Sequence, residues 1–272
     1  MSEIRVLPIV DLPEIEAGAN LGDLIASHAE LRDGDLLVIA QKAVSKAEGR
    51  VRRLSSVNPG KEAHRLATSL GKDPALVELI LEESNEVLRA ERGVLITETH
   101  HGFVCANAGI DSSNLPETGT VCLLPEDPDA SARNLRAEID SAMEGEHGMG
   151  LAGHSAQSAS AESHPRPLPS IGVVVSDSFG RAWRLGQAEV AIGCAGLTPL
   201  DDWRGREDAH GRKLEATLIA IADQAAAAAD LARGKDSRVP ASIVRGLERH
   251  ITADDGPGAA ALRRPRGEDL FR

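Results

Sequence analysis

An apolar run leads directly into a stretch dense in charged residues at IGVVVSDSFGRAWRLGQAEVAIGCAGLTPLDDWRGREDAHGRKLEAT, residues 171–217. The run 171–175 is short and apolar, which predicts a buried strand. The residues after it combine carboxylates, arginines and glycines with both tryptophans of the chain, Trp183 and Trp203. Glycine lets a backbone approach a ligand closely, and arginine binds carboxylates and phosphates through paired hydrogen bonds. We therefore predict that residues 176–217 hold the functional site and that its ligand is anionic.

Outside this segment, the spacing of apolar residues predicts both strands and helices. Predicted strands cover residues 4–10, 36–40, 121–124 and 239–244, and residues 93–99 and 102–106 form a predicted hairpin. Predicted helices cover residues 21–31, 59–89 with a break at 71–74, 129–144 and 214–232. Residues 41–50 are predicted to be a ligand-binding loop, and residues 107–114 a polar loop. Because βαβ units do not recur regularly, the predicted fold class is α/β (α+β), with mixed sheets and flanking helices.

The chain is long enough, at 272 residues, for one large domain or two modest ones. We predict one domain over residues 1–246, interrupted by a small, polar and proline-rich insertion at 145–170 that is expected to be flexible. Residues 247–272 are predicted to be a polar tail.

The composition excludes several classes of partner. A net charge of −12 argues against nonspecific binding to nucleic acid. No run approaches the roughly 18 apolar residues that span a membrane, and the N-terminus lacks a signal-peptide pattern, so we predict a cytoplasmic protein without a membrane partner. The three cysteines, Cys105, Cys122 and Cys194, are predicted to be small buried side chains and not disulfides or zinc ligands.

Two polar segments, residues 107–114 and 176–181, each follow a predicted strand and each pair a carboxylate with hydroxyls. Mg²⁺ and Mn²⁺ prefer such oxygen ligands and often bridge carboxylates to phosphates. Turns and helix caps use the same residue types, and this alternative has about equal weight for either segment alone.

Several cationic side chains could bind the phosphate groups of a ligand at such a site. Lys42 and Lys46 follow the strand 36–40, although lysines in that position are often only exposed. The arginines after residue 180 could clamp phosphates or carboxylates, or could form ion pairs with Glu189, Asp201, Asp202, Glu207 and Asp208. The chain contains no G-x-x-x-x-G-K-[ST] and no G-x-G-x-x-G opening a helix, so the prediction is a non-Walker, non-Rossmann protein.

Six ordered blocks together resemble one family, the coenzyme F420:L-glutamate ligases, also called F420-0:γ-glutamyl ligases. The blocks are GDLLVIAQKAVSKAEGRV (34–51), LEESNEVLR (81–89), CANAGIDSSN (105–114), LLPEDPDASARNLR (123–136), residues 176–217, and VPASIVRG (239–246). They extend over most of the chain and resemble the stand-alone form of the enzyme.

The resemblance implies GTP-dependent attachment of L-glutamate to the lactyl-phosphate carboxylate of coenzyme F420-0, followed by γ-linked glutamates, through an acyl phosphate. It also implies two divalent ions, Mn²⁺ or Mg²⁺, with K⁺ as an additional candidate, and an intertwined homodimer of two-lobed subunits. The alternatives are a metal-dependent phosphohydrolase and a protein that binds a nucleotide or deazaflavin without turnover.

Carried over position by position, the resemblance implies three metal ligands, Asp111, Asp177 and Ser178. It implies nucleotide contacts from Leu12, Pro13, Glu14, Ile15, Gln41, Lys42, Lys46, Asn114, Arg233, Gly234, Lys235 and Asp236. Catalytic charge stabilisation is expected from Lys46, Arg181, Arg184 and Arg206, and candidates for the base are His210 and Glu207. Where some relatives have Met-Gly-Glu, with a metal-binding carboxylate, this chain has Ala232-Arg233-Gly234, and Asp236 is the nearest acidic substitute.

Overall fold

The computed structural model of the chain describes residues 3–149 and 170–270. Within these residues there are twelve strands and six α-helices. The strands are β1 (Arg5–Ile9), β2 (Leu36–Ala40), β3 (Val51–Arg53), β4 (Ser84–Glu91), β5 (Val94–Thr99), β6 (Val104–Ala106), β7 (Thr120–Cys122), β8 (Gly172–Arg181), β9 (Arg184–Ala195), β10 (Leu200–Asp202), β11 (Leu218–Ala220) and β12 (Ala241–Arg245). The helices are α1 (Leu21–His28), α2 (Gln41–Ala47), α3 (Lys61–Leu70), α4 (Pro74–Glu82), α5 (Pro128–Met149) and α6 (Ile221–Asp230).

A five-stranded mixed sheet, in the order β1-β12-β2-β8-β9, forms the centre of the fold. Only the β2–β8 pair is parallel among its four pairings. Side chains of a strand alternate between its two faces, and β2 shows this directly. Leu37 and Ile39 pack in the core with α1 and α5, while Leu36 and Val38 pack in the core with α6. The sheet is therefore covered by helices on both faces.

A second core lies between α3, α4 and the small antiparallel sheet β4-β5-β6. Helix α3 ends at Gly71, whose φ of +64° is a left-handed C-cap that favours glycine. Helix α4 begins at once, because the Asp73 carboxylate accepts hydrogen bonds from the Ala75 and Leu76 amides and Pro74 occupies the first turn. This confirms the predicted break at 71–74.

The mixed α/β architecture was predicted correctly, and so were the hairpin at 93–106 and four of the five strands of the central sheet, β1, β2, β8 and β12. Strand β9 was not predicted. Residues 41–50 are not a loop, because α2 begins at Gln41 directly after β2. Residues 84–91 are not the end of a helix but strand β4, which pairs antiparallel with β5. This hairpin pairing prevails over a helical spacing that continued only weakly beyond residue 81, where Val87 and Leu88 are the large apolar residues before Arg89.

Two other predicted elements have different limits. The helix predicted over 214–232 covers only Ile221–Asp230, since residues 218–220 form β11 against β10. The strand predicted to end at residue 175 continues to Arg181, so the polar segment 176–181 lies within β8 and is not a loop after it.

The end of the chain packs against the body of the protein. Beyond residue 246, Ala259 and His250 are buried, and Ile251 forms a bridge with Leu197. Arg136 of α5 binds the Asp255 carboxylate at 2.9 Å. Residues 248–262 are therefore part of the fold and do not form a detached tail.

Of the predicted insertion at 145–170, the first residues belong to the backbone of α5, which reaches Met149, and residues 150–169 lie outside the described residues. The three cysteines are buried and free, as predicted. Among the described residues, no helix has the length and apolar character needed to cross a membrane.

Candidate functional site

A cleft of about 1140 Å³ opens where the parallel strands β2 and β8 end. Ala40, the last residue of β2, lies opposite Ser176 of β8. Carboxyl ends of parallel strands meet at one edge of a sheet, and ligands of α/β proteins bind in the crevice outside that edge. The residues that follow, Gln41 and Lys42 at the start of α2 and Asp177 and Ser178 further along β8, consequently line the same cleft.

A β-bulge directs the polar end of β8 into this cleft. Val175 pairs with Gly193 and Ser176 with Ala191, so Ile192 is an extra residue on β9. Bulges increase the local twist and re-aim side chains beside functional sites. The pairing then resumes, and it places Ser178 opposite Glu189.

Asp177 lies at the base of the cleft in an environment that opposes its charge. Burial, followed by repulsion from Glu189 and Asp111, raises the pKa of Asp177 to about 7. Its Oδ1 accepts a hydrogen bond from the Ser178 amide at 2.9 Å, which offsets only part of this effect. A cation beside Asp177 would favour its ionised form.

A network of side chains surrounds Ser178. Its Oγ donates to Glu189 Oε1 at 2.5 Å and accepts from Lys235 Nζ at 2.9 Å. The buried Arg233 lies 3.6 Å from Glu189 Oε2 and donates to Ser176 Oγ at 3.3 Å and to the Pro240 carbonyl at 3.2 Å. The segment before β12 is thereby tied to β8 and β9.

On the opposite wall, Lys42 of α2 holds Asp111. The Lys42 ammonium lies 2.7 Å from Asp111 Oδ2 and donates to the Ser113 carbonyl and hydroxyl at 2.8 and 2.9 Å. Burial opposes the ionisation of Asp111, but hydrogen bonds from Lys42 and Ser113 outweigh it, and its pKa is lowered. Asp111 is therefore an ionised carboxylate at neutral pH.

The N-terminal segment joins the cleft through a second lysine. Lys46, one turn after Lys42 on α2, binds Glu14 Oε1 at 2.5 Å. Gln41 lines the cleft as well, but its amide is buried and donates to Ser45 Oγ and to the Leu123 carbonyl, at 2.7 and 2.8 Å. Gln41 thus links α2 to the chain beyond β7.

The structure brings all twelve predicted nucleotide-binding residues to the lining of this one cleft, together with the three predicted metal ligands. The set comes from five separate parts of the sequence: residues 12–15, 41–46, 111–114, 177–178 and 233–236. The charged lining residues are mixed, with the cations Lys42, Lys46, Arg233, Lys235 and Arg238 and the acids Glu14, Asp111, Asp177, Glu189, Asp230 and Asp236.

The donors fit one of the two divalent ions that the resemblance implies. Asp111 and Asp177 are close enough to interact electrostatically, and the attraction of Lys42 is too weak to compensate the burial of Asp177. Asp111 Oδ1 and Asp177 Oδ1 each accept one backbone hydrogen bond and keep a lone pair for a hard ion, whereas Asp111 Oδ2 already accepts from both Lys42 and Ser113. The described residues contain no preformed cluster of three or more His, Cys, Asp or Glu side chains that could hold a metal. Further ligands would have to come from phosphate oxygens or water.

The three arginines with a predicted catalytic role do not line the cleft. Arg181 and Arg184 are exposed at the tip of the β8–β9 hairpin, where Arg181 donates to the Leu185 carbonyl at 3.2 Å. Arg206 lies 3.4 Å from Asp201 and stacks over Trp203, 5.2 Å from the ring centre. His210 and Glu207, the predicted bases, lie in the same exposed excursion between β10 and β11.

Glu189 is the cleft residue that sequence reasoning missed, since it was considered only as an ion-pair partner. The sequence contained a signal for a hairpin, because Gly180 and Gly186 flank a turn between two polar strands. Pairing across this hairpin places Glu189 beside Ser178.

Comparison with known proteins identifies the family to which the chain belongs. The model of a family described as F420-0:Gamma-glutamyl ligase matches residues 9–149 and 155–246. The chain is similar to the coenzyme F420:L-glutamate ligase of Methanothermobacter thermautotrophicus, 40% identical over 275 residues that cover 99% of both chains. It is 40% identical over 271 residues to the enzyme of that name from Methanopyrus kandleri, with 99% of this chain and 98% of the relative covered. It is 37% identical over 276 residues to that of Haloarcula marismortui, with 99% and 96% covered. The chain belongs to the F420-0:gamma-glutamyl ligase family.

Proposed function

We propose that this chain is a GTP-dependent ligase that adds L-glutamate to the lactyl-phosphate carboxylate of coenzyme F420-0, and then adds γ-linked glutamates. The observation that carries the proposal is the family match along residues 9–149 and 155–246, which includes every cleft-lining segment named above. The relatives that share it over nearly their whole length are named as coenzyme F420:L-glutamate ligases.

The shape and charge of the cleft suit this reaction. Its volume of about 1140 Å³ is at the upper end for small-molecule sites, which agrees with a nucleotide and a second large substrate bound together. Lysines at two places, Lys42 with Lys46 and Lys235, offer point charges for phosphate oxygens. The acids between them would otherwise repel a nucleotide, so the site requires a cation between acids and phosphates.

The proposed chemistry has two steps. A carboxylate oxygen of F420-0 attacks the γ-phosphorus of GTP, the bond to the β-phosphate oxygen breaks, and GDP leaves. The amine of L-glutamate then attacks the acyl carbon of the resulting acyl phosphate, a C–N bond forms, and inorganic phosphate departs while the amine loses a proton. Positioning and charge neutralisation dominate phosphoryl transfer, so no protein nucleophile is required.

The residues of the chain have distinct roles in this proposal. Asp111 and Asp177 would hold a divalent ion, Mn²⁺ or Mg²⁺, which when bound neutralises phosphate charge during transfer. Lys46 donates toward the nucleotide once Glu14 releases it, and Lys42 fixes Asp111 in its ionised form. Arg233 holds Glu189 and the loop 234–240 at the base of the cleft.

We also propose a homodimer, as the resemblance implies. In support, the tip of the β8–β9 hairpin presents Trp183 and Leu185 with 81% and 98% of their surfaces exposed. Adjacent exposed apolar side chains of this size are typical of protein–protein contacts. Light scattering after size-exclusion chromatography of wild-type protein and Leu185→Glu tests this, since a monomeric wild type contradicts it.

The experiment that tests the ligase is an incubation of purified protein with GTP, L-glutamate, Mn²⁺ and F420-0, read by mass spectrometry. The expected result is a mass increase by whole glutamyl units that requires GTP and is abolished by a metal chelator. GDP release without glutamyl addition would instead indicate a phosphohydrolase. Binding of GTP with neither product would indicate a protein without turnover.

A further inference from the structure

The hydroxyl of Ser178 already donates to one protein group and accepts from a cationic one, which leaves it a single lone pair. A serine hydroxyl has one hydrogen to donate and two lone pairs to accept with. Its hydrogen is directed to Glu189 Oε1 at 2.5 Å, and one lone pair accepts from Lys235 Nζ at 2.9 Å. A divalent ion bound to this oxygen would lie about 2.1 Å from it, next to the lysine ammonium. Two cations at one hydroxyl repel each other, so Ser178 does not fit the second divalent ion that the resemblance implies.

The backbone on both sides of Lys235 is anchored, and the exposed side chain reaches Ser178 from this segment. Arg233, two residues earlier, is buried and is anchored to Ser176 Oγ and to the Pro240 carbonyl. Ser237 closes the segment as a tight turn, because its amide and its hydroxyl both donate to the Gly234 carbonyl, at 3.0 and 2.7 Å. Lys235 thus lies between two fixed points.

The buried acids of the cleft are the groups beside which the Lys235 ammonium lies. Glu189 Oε2 is buried and has no hydrogen-bond partner among the described residues, and Arg233 approaches it only to 3.6 Å. Asp177 lies beside this carboxylate and is repelled by it. A fixed positive charge on Ser178 therefore lies next to two acids, in the position where a second metal ion would otherwise supply that charge.

We infer that the Lys235 ammonium takes the place of the second divalent ion, so that this chain binds a single divalent ion with its nucleotide, at Asp111 and Asp177. The inference rests on the proposed function, because it assigns Lys235 to the phosphates of the same GTP. The ammonium is part of the protein, so this half of the phosphate site is formed without metal. Asp236, the acidic substitute expected from the sequence, is then not needed as a ligand.

The test is a count of Mn²⁺ ions per bound nucleotide in the full-length protein. A non-hydrolysable GTP analogue is held substoichiometric to protein, Mn²⁺ is titrated, and free Mn²⁺ is followed by electron paramagnetic resonance while nucleotide retention is measured separately. The wild type is expected to bind one Mn²⁺ per nucleotide, with no spin-coupled signal from paired ions. Lys235→Glu replaces the ammonium by a carboxylate at Ser178 and is expected to bind two.

Lys213→Glu is the matched control, because Lys213 is exposed outside the cleft and its replacement makes the same change in net charge. This variant is expected to bind one Mn²⁺ per nucleotide, as the wild type does. Lys235→Gln removes the charge without adding a ligand and is expected to keep one ion while its affinity for the analogue falls about tenfold. Two ions in the wild type, or one ion in folded Lys235→Glu, would overturn the inference and leave the ligase proposal intact. Failure of the wild type to retain the analogue at any Mn²⁺ concentration would instead overturn the proposed function itself.

Discussion

Residues 176–190 and residues 201–212 carry the same kinds of charged residue but lie in different parts of the molecule, one in the cleft and the other at the surface. Both combine acids, arginines and glycines. The first belongs to the paired strands β8 and β9 and carries Asp177 and Glu189 at the base of the cleft. The second runs largely through the exposed excursion between β10 and β11. Charge density alone therefore did not locate the site, and the strand pairing that buries one set of acids did.

The two segments also differ in how their acids are neutralised. Asp202 is exposed and bound by the side chain of Arg204 at 2.6 Å, and these hydrogen bonds lower its pKa to about 2. Asp177 has burial and neighbouring acids instead, and its pKa is raised to about 7. An acid that is already paired with arginine is part of a surface network, while an acid left uncompensated in a cleft is prepared for a cation.

Removing the carboxylate charge in the cleft should have the largest effect. Asp177→Asn and Asp111→Asn are each expected to lower kcat/KM at least about 1000-fold, because the divalent ion loses a charged ligand. Asp202→Asn, the matched change in the exposed segment, should stay within about twofold. The measurement is initial-rate GDP formation coupled to glutamyl addition. Near wild-type rates in either cleft variant would remove the assignment of that acid.

The two segments can also be compared by the free energy of unfolding, through the glutamates Glu189 in the cleft and Glu207 at the surface. Glu189→Gln leaves Arg233 buried without its carboxylate, and we expect a loss of about 3 kcal/mol of unfolding free energy at pH 5. At pH 8 the loss should be smaller, because the repulsion between Glu189 and ionised Asp177 is removed as well. Glu207→Gln, in the exposed excursion, should change stability by less than about 0.5 kcal/mol. Urea denaturation of metal-free protein measures both, and equal losses in the two variants would contradict the difference between the segments.

The pH dependence of stability should have opposite signs for the two aspartates. The folded-state pKa of Asp177 lies above its unfolded value, so the folded protein holds a proton that the unfolded chain releases, and stability falls as pH rises from about 4 to about 7. Asp177→Asn removes this loss and should be more stable than wild type by roughly 2 kcal/mol at pH 8, with little difference at pH 4. Asp202 has a lowered pKa, so its contribution is present above about pH 4 and lost below it, and Asp202→Asn should be slightly less stable at pH 8. If the stability of Asp177→Asn relative to wild type is the same at pH 8 as at pH 4, the cleft does not raise the pKa of Asp177.

The sequence was sufficient for local features and insufficient for long-range pairings. The run 36–40, the break at Gly71 and Asp73, and the polar loop with Asp111 each carry a local signal, and the structure has all three. Strand β4 and the meeting of Ser178 with Glu189 belong to hairpins with short turns, so their sequence signals were local and were overlooked. Lys235 shows the limit for long-range contacts, because its contact with Ser178 joins residues 57 positions apart.

Arg206 gives the smallest expected effect and the most direct test of the exposed segment. Its guanidinium pairs with Asp201 at 3.4 Å and stacks over Trp203, and both contacts are local to the strand β10 and its excursion. Exposed ion pairs and cation–π contacts each contribute on the order of 0.5–1 kcal/mol. Arg206→Gln should therefore lower stability by about 1 kcal/mol, and by no more than about 2 kcal/mol, and leave kcat/KM within about twofold. Arg233→Gln, the same change at the base of the cleft, should reduce both measurably, because it frees the loop that carries Lys235. A 100-fold loss of kcat/KM in Arg206→Gln would mean that the excursion reaches a reacting phosphate in the working enzyme, and the difference between the two segments would then lie in burial alone.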